Sequence, residues 1–169
     1  MVAILIPTRN RSGYLLRQLE YYASCNSTHP VYIGDASDPD TADRFEKDIE
    51  KFRKNLSIHY FKLPKTGILD TFIKLIENVQ EDFVCFCGDD DFQVPQALTL
   101  CETFLKAHED YASAKGKAVH FSLRHPNPRD TLHSVENYPM LPIENERAGD
   151  RLKNYFSSYH CNLFSVTRK

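Results

Sequence analysis

Five apolar segments rich in β-forming residues recur along the chain, and segments with helical periodicity separate most of them. Most of the five are continuously apolar rather than alternating, a pattern typical of strands that a parallel sheet buries on both faces. Strand–helix–strand units in series predict an α/β domain with right-handed crossovers. The predicted strands are Val2–Ile6, Val31–Ile33, Ile58–Phe61, Phe83–Cys87 and Ala118–Leu123.

The helical segments show apolar residues at spacings of three and four, which places those residues on one face of each helix. Three such helices fall between the first four strands, and Pro95 opens a fourth over about 95–108. Beyond Tyr111 the pattern loosens. Residues 125–143 contain four prolines and are predicted to form a surface loop, followed by a helix over about 144–158 and the apolar stretch Asn162–Val166.

Composition narrows the class of protein. With 169 residues, 41% hydrophobic and 26% charged, the chain has the size and make-up of one soluble globular domain. Its 21 Lys and Arg against 23 Asp and Glu argue against a nucleic-acid partner, since phosphate binding normally needs a basic surface. The longest apolar run is too short to span a membrane, and the absence of a basic leader and of disulfide-type cysteine spacing favours a cytoplasmic protein.

The residues that follow the first four strands carry the candidate chemistry. Because the carboxyl ends of parallel strands meet at one edge of a sheet, acidic, basic and small side chains are expected to converge there. No serine-hydrolase, P-loop or dinucleotide-binding glycine motif is present. The four segments are Pro7–Arg11, Gly34–Asp38, Lys62–Gly67 and Gly88–Asp91.

Three consecutive aspartates, Asp89, Asp90 and Asp91, follow the fourth strand. Carboxylates crowded at the end of a buried strand repel one another, and a bound Mg²⁺ or Mn²⁺ would relieve the repulsion. The alternative is a solvated acidic turn before the helix at Pro95. Asp35 has two interpretations as well: an acceptor for a nucleotide's base or ribose, or an Asx-turn residue.

Together these segments resemble glycosyltransferases of family 2 with a GT-A fold, over about residues 2–108. Ala3–Arg11 is similar to that family's first strand and the turn after it, and Val31–Ser37 to its second strand, whose aspartate meets the uracil side of a UDP-sugar. Phe83–Asp91 looks like the metal-binding Asp-x-Asp region. The resemblance implies a Rossmann-like, mainly parallel sheet with helices on both faces. It also implies an inverting, Mn²⁺- or Mg²⁺-dependent transfer from a nucleotide-sugar donor, most simply a UDP-sugar.

The resemblance also assigns site residues. Metal binding falls to Asp90 and Asp91, while Gly88 stands where the family's first aspartate would be. Two alternatives stay open there: Asp89 replaces that aspartate by a shift of one residue, or Asp90 holds the metal alone with the help of water. The acceptor, whether a glycan, a lipid-linked or a small molecule, is not specified. Nucleotide binding falls to Pro7, Thr8, Asn10, Arg11, Asp35, Ser37, Lys65 and Asp89.

The family's catalytic base lies further along the chain than these motifs, and only Glu144, Glu146 and Asp150 are late candidates for it. We therefore expect residues 1–110 to form the half that binds donor and metal. Residues 111–169 would be an incomplete acceptor-side segment of the same domain, as in an N-terminal fragment of a transferase. Two other functions stay open: a nucleotidyltransferase, and a nucleotide-binding module without catalysis.

Overall fold

The computed structural model describes residues 1–138, 141–157 and 164–169. They belong to two compact units: Met1–Lys115 with Phe164–Lys169 form the first, and Gly116–Leu163 the second. The functional division expected near residue 110 stays a prediction. In chain order the elements are β1 Val2–Thr8, α1 Ser12–Ser24, β2 Val31–Asp35, α2 Pro39–Ile49, a short 3₁₀ helix Glu50–Phe52, β3 Ile58–Lys62, α3 Ile68–Asn78, β4 Phe83–Phe86, α4 Pro95–Ala107, β5 Ser113–Ala114, β6 Ala118–Leu123, β7 Leu132–Tyr138, α5 Ala148–Ser157 and β8 Val166–Arg168.

The first unit is built on a six-stranded sheet with the strand order β3-β2-β1-β4-β8-β5. The strands β1 to β4 run parallel to one another, as the apolar segments predicted. At the far edge, β8 pairs antiparallel with both β4 and β5. The expected α/β architecture with a mainly parallel sheet is confirmed.

Alternate side chains of β1 enter two separate cores, which is why this strand is apolar without interruption. Ile4 and Ile6 pack in the core that holds the buried faces of α1, α2 and α4. Ala3 and Leu5 pack in the core on the opposite face, with Leu75 of α3. Helices therefore cover both faces of the sheet, and β1 is buried between them.

The fifth predicted strand does not belong to the parallel sheet. Ala118–Leu123 is a strand, β6, but it pairs antiparallel with β7 in a separate two-stranded sheet. None of its residues is buried, and polar side chains such as His120 and Ser122 alternate with apolar ones. That alternation is typical of an antiparallel ribbon rather than of a strand covered on both faces.

Two further segments of the second unit differ from expectation. The proline-containing loop predicted for residues 125–143 contains β7, and Pro139 lies outside the described residues. The last helix begins at Ala148, later than predicted, and is described as far as Ser157. Of the apolar stretch Asn162–Val166, the structure describes only the last three residues.

Within the described parts of the chain, no helix combines the length and the apolarity needed to cross a membrane.

Candidate functional site

The order of the strands determines where a ligand can bind. From β1 the chain moves to β2 and β3 on one side, then returns to place β4 on the other side of β1. The strands β1 and β4 are neighbours at this reversal of the strand order, and an open α/β sheet binds its ligands in the crevice outside the carboxyl ends of such strands. The segments that follow β1 and β4 are the ones with the most polar chemistry in the sequence.

These two segments are joined by three direct contacts. The Thr8 hydroxyl at the end of β1 donates to Asp89 Oδ2 at 2.7 Å. The Arg11 guanidinium lies 3.0 Å from Asp89 Oδ1 through Nη1 and 2.7 Å from Asp90 Oδ2 through Nη2. Both oxygens of Asp89 are thus engaged, and its side chain is only 6% exposed, whereas 47% of the Asp90 side chain is open to solvent.

Gly88 explains how the remaining carboxylate oxygens approach one another. We call Gly88–Asp91 the acidic turn. A Cβ placed on Gly88 would lie 2.6 Å from Asp91 Oδ2 and 3.2 Å from Asp90 Oδ1. The two carboxylates therefore converge on the space that a side chain at Gly88 would need. Any side chain at this position would have to displace the Asp91 carboxylate.

Burial and mutual repulsion disfavour the ionised forms of Asp89 and Asp91 in the acidic turn. Burial raises the pKa of Asp89 above its ordinary value, and the charge of Asp90 adds to that effect, although Thr8 and Arg11 act against it. Burial also raises the pKa of Asp91, and the charges of Asp90 and Asp89 raise it further. A cation that approaches this turn would favour the ionised form of each carboxyl.

Mg²⁺ and Mn²⁺ are the cations that this donor set fits. Among residues 1–138, 141–157 and 164–169, no three His, Cys, Asp or Glu side chains form a metal cage. A magnesium-type ion needs no such cage, since it is commonly held by one or two carboxylates together with substrate phosphates and water. Asp90 and Asp91 meet that requirement, and Asp89 is less suited to it, because each of its oxygens already has a protein partner.

Asp35 is held in place by two hydrogen bonds. Its Oδ1 accepts from the backbone N–H of Ser37 at 2.8 Å, the bond expected of an Asx turn. Its Oδ2 accepts from the hydroxyl of Tyr60 on β3 at 2.7 Å, and the residue is only 1% exposed. Burial and the Asp35 carboxylate together raise the pKa of Tyr60. A nucleotide that bonds Asp35 directly must therefore displace neighbouring groups or reach the lone pairs that these bonds leave.

The loops after β1 and β2 are tied together through Asn10. Its backbone N–H donates to Ser37 Oγ at 2.7 Å, and its side chain exchanges hydrogen bonds with Asp38. Asn10 has a positive φ of 55°, which asparagine tolerates better than most residues. Asp38 precedes α2, but its carboxylate accepts from Asn10 and makes no capping bond.

The other predicted nucleotide-binding residues lie at the same edge with different degrees of involvement. Pro7 is part of β1, in register with Gly34 of β2. Lys65 is exposed in the loop between β3 and α3 and joins none of the contacts given above.

The candidates for the catalytic base, Glu144, Glu146 and Asp150, are exposed residues of the second unit, and Asp150 lies in the first turn of α5. Their assignment as base stays a prediction.

Two residues that shape the site were not identified from the sequence, Tyr60 and Gln18. The buried Gln18 side chain of α1 donates through Nε2 to the carbonyls of Gly88 and Asp91, at 3.0 and 2.6 Å, and so holds both ends of the acidic turn. A signal was available, because Gln18 is a polar residue within the apolar stripe of α1. No comparable signal marks Tyr60, which reads as an ordinary strand residue.

The fold and the strand-end site define an α/β domain of the kind that binds nucleotides at a topological switch point. The model of the family described as Glycosyl transferase family 2 matches residues 3–168. The chain belongs to glycosyl transferase family 2, as its motifs indicated. No curated protein sequence matches it significantly.

Solved structures agree on the GT-A fold. S. aureus TarS 1–349 in complex with UDP-GlcNAc aligns with a TM-score of 0.54 at 19% identity, over 70% of this chain and 33% of that one. The mannosyltransferase PcManGT from Pyrobaculum calidifontis, in complex with GDP-Man and Mn²⁺, aligns with a TM-score of 0.56 at 14% identity, over 69% and 35%. The aligned region thus spans about a third of each of these chains.

Proposed function

We propose that this chain binds a nucleoside diphosphate sugar, with a UDP-sugar as the donor, and takes part in metal-dependent transfer of the sugar to an acceptor hydroxyl with inversion. Family membership supports sugar transfer as the reaction. The observation that carries the donor proposal is the pairing of Thr8 and Arg11 with the acidic turn at the switch point. Neighbouring structures with UDP-GlcNAc or GDP-Man bound are consistent with it.

Each residue of the site has a separate task in this proposal. Asp35, with Ser37 and Asn10, orients the base and ribose at the end of β2. Asp89, held by Thr8, keeps Arg11 at the crevice, where its guanidinium can meet phosphate oxygens. Asp90 and Asp91 would hold Mn²⁺ or Mg²⁺, which when bound supplies positive charge that stabilises the diphosphate as it leaves. A carboxylate base would take the proton of the acceptor hydroxyl, with Glu144, Glu146 and Asp150 as its candidates in this chain.

Titrations of UDP with and without Mn²⁺ test the donor proposal. UDP at 100 times its dissociation constant should add about 2.7 kcal/mol to the free energy of unfolding. Mn²⁺ should strengthen UDP binding. A melting temperature that UDP with Mn²⁺ raises no more than Mn²⁺ alone contradicts the proposal, and a clear preference for CTP or another triphosphate favours a nucleotidyltransferase instead.

Two substitutions separate the roles of the carboxylates. Asp35→Asn should weaken UDP binding with or without metal, because the proposal assigns Asp35 to the base and ribose and not to the metal. Asp90→Asn should remove mainly the part of the affinity that depends on Mn²⁺. Asp48→Asn, on the exposed face of α2, is the matched control and should leave both affinities unchanged. The same loss of metal dependence in Asp35→Asn and Asp90→Asn would overturn this division.

A further inference from the structure

Arg11 occupies the position of a cation between two carboxylates of the acidic turn. Its two terminal nitrogens contact Asp89 and Asp90 separately, at 3.0 and 2.7 Å. One of these partners, Asp90, is also a ligand that the proposed function assigns to the metal. A divalent ion that binds Asp90 must therefore compete with Arg11 or displace it.

We propose that Arg11 is a built-in competitor of the metal, a role that rests on the proposed function and extends it. In the protein without nucleotide, Arg11 neutralises Asp89 and Asp90 and weakens the binding of Mn²⁺ or Mg²⁺. When a diphosphate arrives, the guanidinium transfers at least its Asp90 contact to phosphate oxygens. The released carboxylate then joins Asp91 on the metal.

The surroundings of Arg11 allow such a transfer. Its side chain is 43% exposed, so the guanidinium can turn toward the crevice without breaking a packed core. The guanidinium carbon lies 4.6 Å from the centre of the Tyr14 ring, a cation–π contact that does not depend on Asp90. The planar fork of arginine binds phosphate as readily as carboxylate, with two parallel hydrogen bonds.

The two ion pairs of Arg11 differ in the burial of the carboxylate partner. Asp89 is 6% exposed and keeps its second oxygen on the Thr8 hydroxyl, so the contact with Arg11 anchors the side chain. Asp90 is 47% exposed, and exposed pairs of this kind contribute little to stability. The Arg11–Asp90 contact is therefore the one that a phosphate can replace.

A thermodynamic consequence follows for the two ligands. If Arg11 weakens metal binding and itself binds the diphosphate, then UDP and Mn²⁺ should each strengthen the binding of the other by the same factor. Couplings of this kind commonly amount to about 5- to 150-fold. Metal binding to the protein alone should be correspondingly weak.

The experiment measures Mn²⁺ affinity by electron paramagnetic resonance and UDP affinity by calorimetry, on the wild-type chain, Arg11→Gln and Arg11→Lys. Arg11→Gln should bind Mn²⁺ without nucleotide about fivefold more tightly than wild type, the upper range for loss of an exposed ion pair. The factor by which UDP and Mn²⁺ strengthen each other's binding should be smaller in this variant. Arg11→Lys keeps the charge but not the planar fork of donors, so its Mn²⁺ affinity should lie between those of wild type and Arg11→Gln. Arg44→Gln is the control, because this charge on α2 donates to the Asp40 carbonyl and the Thr41 hydroxyl and, among the described residues, pairs with no carboxylate.

Each possible result of this experiment either supports or overturns the inference about Arg11. Tighter Mn²⁺ binding in Arg11→Gln supports the inference, and a residue with only a structural role would not produce it. Equal or weaker Mn²⁺ binding in that variant overturns the inference, while UDP–Mn²⁺ coupling in wild type would leave the proposed function intact. If neither UDP nor Mn²⁺ binds any of the four proteins, both the inference and the proposed function are overturned.

Discussion

Tyr60→Phe removes one oxygen atom and with it one of the two hydrogen bonds that hold the buried carboxylate of Asp35. The hydroxyl donates to Asp35 Oδ2 at 2.7 Å, and Asp35 is 1% exposed, so water cannot replace the lost donor without a rearrangement. The Ala42 carbonyl, at 3.2 Å from the same hydroxyl, is a second acceptor that is neutral and more distant. We expect the variant to fold with a carboxylate oxygen left unsatisfied.

The size of the effect can be worked out from these contacts. A hydrogen bond to a charged group contributes about 1.5–3 kcal/mol, and leaving a buried charged acceptor unpaired costs at least as much. In a protein of this size, 1 kcal/mol shifts the melting temperature by about 2–4 °C. Tyr60→Phe should therefore lower the free energy of unfolding by about 1.5–3 kcal/mol and the melting temperature by about 3–12 °C. UDP binding should weaken too, since Asp35 loses its orientation.

Urea denaturation and thermal melting measure the loss, and Tyr32→Phe provides the control. Tyr32 on the adjacent strand also donates to a carboxylate, Glu81 at 3.0 Å, but Glu81 is partly exposed and can be rehydrated. The control should lose clearly less stability and keep its UDP affinity. If Tyr60→Phe is as stable as wild type, or if Tyr32→Phe loses as much, then the hydroxyl of Tyr60 does not hold Asp35 as described.

Three shorter predictions concern the sheet, the acidic turn and the thiols. Gly34→Ala should cost about 1–3 kcal/mol in urea denaturation, because its Cβ would lie 2.4 Å from Thr71 Cγ2; unchanged stability would contradict that packing. Burial and neighbouring charges raise the pKa of Asp91 in the folded protein, so its ionised form destabilises the fold. Asp91→Asn should therefore raise the melting temperature at pH 7, by a margin that fades as the pH falls toward about 4, and should lose stabilisation by Mn²⁺; a lower melting temperature at pH 7 refutes this. Burial raises the pKa of Cys85 to about 12, so iodoacetamide should label the half-buried Cys25 well before Cys85 in the native protein, as mass spectrometry of the peptides would show.

The parallel core was predictable because its signal is local. A strand covered by helices on both faces must be apolar at every position, and Val2–Ile6 and Phe83–Cys87 show this without any knowledge of their partners. The prediction was wrong for Ala118–Leu123, which was assigned to the same sheet although polar residues alternate with apolar ones in it. The residues of a segment therefore predict that it forms a strand, but they do not predict its pairing partner. The strand β8 pairs with β4, and its three residues carry no signal of that pairing.

The candidate site divides in the same way. The chain itself determined which residues end each strand, and sheet geometry carries the ends of β1 and β4 to one crevice, so Thr8, Arg11 and the acidic turn were foreseeable as neighbours. Which pairs form was decided by tertiary structure. The folded loops make Asp89, rather than Asp91, the partner of Thr8, and the packing of β3 beside β2 brings Tyr60 to Asp35 across 25 residues of sequence. A hydrogen bond depends on a few tenths of an ångström between side chains, and only the packed chain specifies distances of that size.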